Sequence, residues 1–284
     1  MSENFDAGWL TLREPFDHAA RNHALAMRLV GALPVKPRLI DLGAGTGSLF
    51  RYLAPMIDGA QSWTFIDADP ALLDEAFNVT ADWADGLGYR ISGDDSALTI
   101  HAPGGDWVMD GELHDLAAIP GGLAFREADA VVCSALLDLV SVGWIAWLAG
   151  TLRVPFYAAL SVDGRDGWLP FHPVDAVMRA GFRRDQRRNK GFGRALGTGA
   201  IAEALRAFST LGFRVSSAPA DWMVPRTALA MLDALIVGGE RAAVAALPAQ
   251  RHVLSGWREA RHAQAMGLRL AVRIGHRDIL ALPK

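Results

Sequence analysis

The apolar positions of the chain change period several times. From Phe16 to Leu33 they recur at helical spacing, with Phe16, Ala20, His23, Met27 and Val30 on one stripe. Pro34 and Pro37 close that helix. Short apolar runs then alternate with helical stretches. Arg38 to Leu42, Ser62 to Ile66, Ala130 to Cys133 and Phe156 to Val162 read as strands, and a weaker pair of strand segments surrounds Ser92 to His101. A helix begins near Leu49. Another begins at Asp69-Pro70, which supplies an N-cap carboxylate and a proline at the first helical position.

Strands separated by helices predict an α/β fold with a mostly parallel, doubly wound sheet. The C-terminal third has a different rhythm: a strand over Phe213 to Ser217, helices over Thr227 to Leu247 and Arg251 to Met266, and one or two strands over Leu268 to Leu282 with Gly275 as a bulge or turn. Asp163 to Gly199 carries the least regular pattern and the most Gly, Arg and Asp, so it reads as a lid-like insertion. The expected organisation is a helical N-terminal cover over residues 1–36 and one domain over 37–284, with the insertion at about 163–199 and a C-terminal elaboration.

Composition narrows the class. Of 284 residues, 51% are hydrophobic and 21% charged, which excludes global disorder. The formal charge of −3 argues against duplex nucleic acid as the main partner. One cysteine, Cys133, rules out a disulfide within the chain and a cysteine-based zinc site. The histidines show no metal-ligand spacing, so no metal is expected. The acidic N-terminal segment lacks the apolar run of a secretory signal, and the longest apolar candidate, Val131 to Leu152, is interrupted by Asp138, Ser141 and Gly143. The expectation is a cytoplasmic protein.

The strongest local signal is Leu39-Ile40-Asp41-Leu42-Gly43-Ala44-Gly45-Thr46-Gly47, a glycine turn between a strand and a helix. Such a turn lets backbone approach a ligand, and the helix start offers free N–H groups. A phosphate loop would need Gly-Lys-Ser/Thr, and no lysine lies here. A dinucleotide loop spaces its glycines G-x-G-x-x-G, whereas here they run G-x-G-x-G. Asp41, two places before the first glycine, would repel a diphosphate and suit an ammonium or sulfonium. Asp67 follows Gly47 by 20 residues, at the end of the next strand, where a carboxylate accepts from ribose hydroxyls.

These residues resemble the class I S-adenosylmethionine-dependent methyltransferases. The first motif is Leu39 to Gly47, the second is Phe65 to Pro70 (FIDADP), and Ala128 to Leu139 (ADAVVCSALLDL) looks like the fourth-strand segment; with the strand order, the resemblance covers roughly residues 37–165. It implies a Rossmann-like methyltransferase fold and S-adenosylmethionine as cofactor. By position, Asp41 and the backbone of Gly43, Ala44, Gly45 and Gly47 would hold the amino-acid end, Asp67 the ribose, and Ala68 would line the adenine. Asp115-Leu116 would meet the adenine edge, with Asp94, Asp95 and Asp110 competing for that place and a helix cap or surface acid as the alternative. Ser134 would lie near the methionine part. Arg13 and Arg21 would pair with the cofactor carboxylate or form surface salt bridges.

Methyl transfer is an in-line displacement that mainly needs placement, so the lack of a triad is no objection. Substrate groups are expected from Asp163 and Arg165, and from the basic stretch Arg183 to Gly197, chiefly Arg187, Arg188 and Lys190. That stretch reads as an anion-binding lid or as a solvated loop. Asp138 is the candidate catalytic acid–base group; the alternative is a helix-start acid. Trp107, Trp144, Trp147, Trp168 and Trp222 could stack on a flat substrate or pack the core, and His114 and His172 are further substrate-contact candidates. The reading is methylation of a small-molecule acceptor, with an anionic one suggested by the basic stretch. The alternatives are an RNA or protein methyltransferase, a non-catalytic binding module of this fold, and a nicotinamide-dependent oxidoreductase.

Overall fold

A computed structural model describes residues 6–93, 97–118 and 125–284. The chain opens with helices α1 (Ala7–Ala20) and α2 (His23–Val30), then β1 (Arg38–Leu42), α3 (Ser48–Leu53), β2 (Gln61–Asp67) and α4 (Pro70–Gly86). A hairpin-like run follows: β3 (Arg90–Gly93), β4 (Ala97–Ala102) and β5 (Gly105–Leu113). Next come β6 (Ala130–Ser134), α5 (Val142–Thr151), β7 (Phe156–Leu169), α6 (Asp175–Gln186), α7 (Ala200–Thr210) and β8 (Arg214–Pro219). The chain closes with β9 (Trp222–Val224), α8 (Leu229–Ala246), α9 (Arg251–Met266) and β10 (Ala271–Leu282).

The strands form one sheet in the order β3-β4-β5-β2-β1-β6-β7-β10-β8, with β9 paired to β10. The run β5-β2-β1-β6-β7 is parallel, and β10 lies antiparallel between β7 and β8. From β1 the chain winds outward first through β2 and then through β6, so the order reverses at β1 and a crevice opens beyond the carboxyl ends of these strands.

Both faces of the central strands are covered, which explains why apolar residues occupy successive positions and not only alternate ones. Ile40, Leu42, Val131, Cys133 and Ala158 face one core with α5 and α7; Leu39, Trp63, Phe65, Val132 and Tyr157 face the other, with α2 and α3. Phe50 anchors the second core, its ring 5.2 Å from that of Trp63 and 6.3 Å from those of Trp83 and Trp107. A third core lies on the extended ends of β7 and β10, where Trp168, Val272 and Trp222 pack against Met178, Leu232, Ile236 and Trp257.

The helix expected over Phe16 to Leu33 is two helices. Arg21 leaves the helical region with ψ 137°, and Asn22 caps α2 by accepting from Leu25 N–H at 3.1 Å. Asn22 N–H itself donates to Asp278 on β10 at 2.7 Å. The partner that fixes this break lies 256 residues away, which no local pattern reveals. Asp163 to Gly199 is more regular than its composition suggests: β7 runs on through Leu169, α6 occupies Asp175–Gln186, and 187–199 is turn and loop with a short helical turn at Gly197–Gly199. The final strand is single, with a register shift at Gly275, where a Cβ would lie 2.3 Å from the Asp163 carboxylate. None of the described helices is long and apolar enough to cross a membrane.

Candidate functional site

The crevice has a volume of about 570 Å³ and is walled by the ends of β1, β2 and β6, by α1, and by residues 190–192. Its floor is the glycine turn. Gly43 and Ala44 N–H both donate to the Ile66 carbonyl, at 2.8 and 3.1 Å, which pins the turn to β2. Gly45 and Gly47 have φ of +54° and +78°, a region that penalises any side chain. Gly47 caps α3, and a Cβ there would lie 3.1 Å from the Phe65 ring and 3.2 Å from Thr80 Oγ1. Asp67 braces the same turn. Its Oδ2 accepts from Gly45 N–H at 2.9 Å, and its Oδ1 from Asp69 N–H at 3.1 Å. Asp69 in turn caps α4 as expected, accepting from Ala71 N–H at 3.0 Å.

Asp41 lies on the crevice wall, 1% exposed, and neither carboxylate oxygen has a hydrogen-bond partner among the described residues. Burial pushes its carboxyl up to about 8; the Arg21 guanidinium works against that shift and Asp67 adds to it. Arg21 also lines the crevice. It donates to the Ser48 carbonyl and hydroxyl, both at 3.1 Å, and to Ser134 Oγ at 3.2 Å, and it stacks over the Tyr52 ring. Its Nε is buried without a partner among the described residues. A carboxylate and a guanidinium thus share one wall, and no ion pair joins them among the described residues.

Helix α1 closes the crevice from above, with Leu10, Arg13 and Asp17 on the lining. Arg13 grips Asp17 with two bonds, at 2.9 and 3.2 Å, and lies over the Trp222 ring at 4.8 Å; Asp17 also accepts from Trp222 Nε1 at 2.9 Å. Glu14 accepts from Arg51 Nε at 2.8 Å, and Arg51 Nη1 donates to the Thr46 carbonyl at 2.6 Å and to Thr80 Oγ1 at 2.9 Å. The buried Arg51 therefore clamps the cover to the glycine turn. Asp17, Glu14 and Arg51 carry no signal in the sequence, because each meets partners far along the chain.

On the opposite side, Asp115 forms a turn by accepting from Ala117 N–H at 2.9 Å, and buried Leu116 gives its carbonyl to Trp144 Nε1 at 2.8 Å. Both line the crevice, as do Ala68 and Ser134. Asn189 accepts from the N–H groups of Gly191 and Gly193, at 2.9 and 3.0 Å, and this turn presents Lys190, Gly191 and Phe192 to the mouth.

The structure thus brings together Arg13, Arg21, Asp41, Gly43, Ala44, Gly45, Asp67, Ala68, Asp115, Leu116, Ser134 and Lys190, with Gly47 just behind them capping α3. It does not bring in the other expected substrate groups. Asp163 and Arg165 sit on β7, where Arg165 bonds Asp163 and Asp221, outside the crevice lining. Arg188 pairs with Asp185, and Arg187 faces a separate hollow. Asp138 is buried with its carboxyl pushed up to about 6, first by burial, and it is not among the residues that line the crevice. The five tryptophans considered as stacking groups pack the cores. His114 and His172 lie off the lining, and Asp94 and Asp95 fall outside the described residues. No group of three or more potential metal ligands occurs among the described residues.

Comparison with known proteins follows the same lines. No protein-family model matches the chain. The chain is 47% identical over 169 residues to a biotin biosynthesis bifunctional protein, BioCD, of Bordetella avium. That match takes in 57% of this chain and 29% of the relative, so the chain spans under a third of the relative's length. Among solved structures it is similar to a SAM-dependent methyltransferase of Geobacter sulfurreducens bound to S-adenosyl-L-homocysteine (16% identity, 93% and 92% of the two chains, TM-score 0.45). It is also similar to one of Thiobacillus denitrificans with the same ligand (16%, 99% and 99%, TM-score 0.46). The chain's own strand order decides the architecture: parallel β5-β2-β1-β6-β7, with antiparallel β10 inserted before β8. The chain has the Rossmann-like methyltransferase fold. In that fold the crevice at β1, β2 and β6 is the ligand end of the sheet.

Proposed function

We propose that the protein is a class I S-adenosylmethionine-dependent methyltransferase acting in the cytoplasm on a small-molecule acceptor. The observation that carries this reading is Asp41, a buried carboxylate on a crevice wall with both oxygens unpartnered among the described residues. Such a group is costly unless a donor reaches it, and a cationic donor also restores its ionised form. The residues fit an amino-acid nucleoside. Asp41 would accept from the ammonium, Arg21 with its unpartnered Nε would hold the carboxylate, and the bare backbone at Gly43 to Gly45 would admit close approach. Asp67 uses one lone pair per oxygen on backbone N–H groups and keeps the others for the ribose hydroxyls. Leu72 and Leu116 supply apolar walls for the base, with Asp115 at its edge.

Bound there, S-adenosylmethionine supplies an electrophilic methyl group on a sulfonium. The chain's own part is to bind, orient and exclude water. Helix α1 walls one side of the crevice and Phe192 lines another, and Lys190 places a cation on the lining, which suits an anionic acceptor. Asp138 is buried and off the crevice lining, and the nearby charges of Lys190 and Arg13 work against the upward push of burial on its carboxyl. A concave crevice of about 570 Å³ suits a small acceptor, and Asp41 disfavours the diphosphate of a nicotinamide cofactor. The identity to the biotin biosynthesis protein supports a place for the reaction in biotin synthesis.

Calorimetry with S-adenosylmethionine, S-adenosylhomocysteine and NAD tests the reading. The first two are expected to bind. Asp67→Ala removes two charge-assisted bonds to the ribose and should weaken both by about a hundredfold. Tight NAD binding with weak S-adenosylmethionine binding overturns the assignment.

A further inference from the structure

A second concave site lies outside the crevice. Ala180, Arg183, Arg184, Arg187 and Arg194 line an open hollow on α6 and the loop that follows it. Positions 180, 183, 184 and 187 share one helix face by their spacing, and Arg194 is brought alongside by the turn whose base pairs Asn189 with Arg194. Ala180 is the one short side chain among the lining residues.

The charges here are largely uncompensated. Arg183 is held by the Gly164 carbonyl and lies 3.8 Å from Asp166. Arg184, Arg187 and Arg194 enter no ion pair or side-chain hydrogen bond among the described residues. Nearby acids are already committed: Asp166 to Arg179 by two bonds of 2.9 Å, and Asp185 to Arg188. Helix dipole alone would be satisfied by the first cation at this C-terminus. Four guanidiniums around one depression repel one another, and a single carboxylate engages only one of them bidentately. A phosphoryl group offers three outer oxygens and close to two charges, which matches several forks at once.

The geometry points to an anion site that takes the phosphoryl group of a small-molecule ligand, separate from the crevice. The same turn carries Lys190, Gly191 and Phe192 on the crevice and Arg187 and Arg194 at its base. A ligand anchored in the hollow therefore lies across one hairpin from the crevice mouth.

The probe is inorganic pyrophosphate, titrated into the full chain at low salt with S-adenosylhomocysteine saturating, so that the crevice does not compete. One-to-one binding is expected, weakening as salt rises. Arg184→Ala with Arg187→Ala should weaken it at least about tenfold and leave the S-adenosylhomocysteine affinity within about twofold. Asp67→Ala, which disturbs the crevice, should leave pyrophosphate binding intact, so failure of the cofactor reading and failure of this one are distinguishable. The pair Arg184→Lys with Arg187→Lys keeps the charge but loses the forks, and should recover only part of the affinity. Absence of pyrophosphate binding, full recovery by lysine, or tighter arginine-dependent binding of a single-stranded RNA would each overturn the site, the last in favour of a nucleic-acid surface.

Discussion

Asp41→Asn is expected to weaken S-adenosylhomocysteine binding by about a hundredfold or more while making the ligand-free protein more stable at pH 8. Both effects have one cause. Burial raises the Asp41 carboxyl to about 8, well above its usual range in an unfolded chain. The folded protein therefore binds a proton here that the unfolded chain releases between about pH 4 and 8. A raised carboxyl contributes stability that is full below the unfolded value and is lost as pH rises through the folded one. The wild type should accordingly lose stability from pH 5 to 8 relative to Asp41→Asn, and the two should melt together near pH 4. Ligand binding runs the other way. The ammonium needs the ionised carboxylate, so wild-type affinity should rise by up to about tenfold per pH unit between pH 6 and 7. That slope should vanish in the variant, whose affinity falls by about a hundredfold or more, the scale for removing one partner of a buried charge pair. Melting curves and calorimetry across this range measure both. Equal pH slopes in the two proteins would show that Asp41 does not face the ligand.

Much of this site was legible because it is local. Asp41, the glycine turn, Asp67 and the Asp69-Pro70 cap lie within 30 residues, and each obeys a rule that the neighbouring sequence states. The β1-α3-β2-α4 rhythm was readable for the same reason: both faces of β1 are buried, so Leu39, Ile40 and Leu42 run together with only Asp41 between them. The cover was legible as helical only from Phe16 on, and as one helix where there are two, and its clamp was not legible at all. Glu14 reaches Arg51 and Asp17 reaches Trp222 across tens to hundreds of residues.

Helix α6 escaped detection for a physical reason. Its buried face is Asp175, Met178, Gly181 and Asp185, with one large apolar residue among the four. Gly181 is small because α8 comes too close for anything larger; a Cβ there would stand 2.8 Å from Ala243 Cα. The outer half of β7 was hidden likewise. Its acids and arginines break the apolar pattern and find partners outside the strand, Arg165 with Asp221 before β9 and Asp166 with Arg179 on α6, and Asp221 also takes Arg273 from β10. The basic stretch was legible as charge but not as geometry. Lys190 turns to the crevice and Arg187 to the hollow because the Asn189 turn reverses the chain between the crevice and the hollow.

The largest loss of stability is expected from Asp175→Ala, far from the crevice. Arg261 is fully buried in the third core, and its Nη2 bonds both Asp175 oxygens, one at 2.6 Å. Asp175 also accepts from Trp257 Nε1 at 2.7 Å and from His172 N–H at 3.0 Å, while Arg261 Nη1 reaches the Pro170 carbonyl and Gln264, each at 2.7 Å. The guanidinium lies over Trp168 and Trp257. Deleting the carboxylate strands a charge in this apolar layer, at a cost of about 3–5 kcal/mol. Removing both charges while keeping an acceptor for Trp257 and His172, as in Asp175→Asn with Arg261→Met, should recover more than half of that loss, because an ion pair buried this deeply owes much of its apparent worth to what remains when one partner goes. Since β7 and β10 run through both this layer and the central sheet, the loss should appear as one cooperative shift of the urea midpoint with an unchanged slope. Neither residue lines the crevice, so S-adenosylhomocysteine affinity should hold wherever the variant is folded. A midpoint shift in Asp175→Ala worth under about 1 kcal/mol, or a double variant no better than the single, would mean that the pair does not carry the layer.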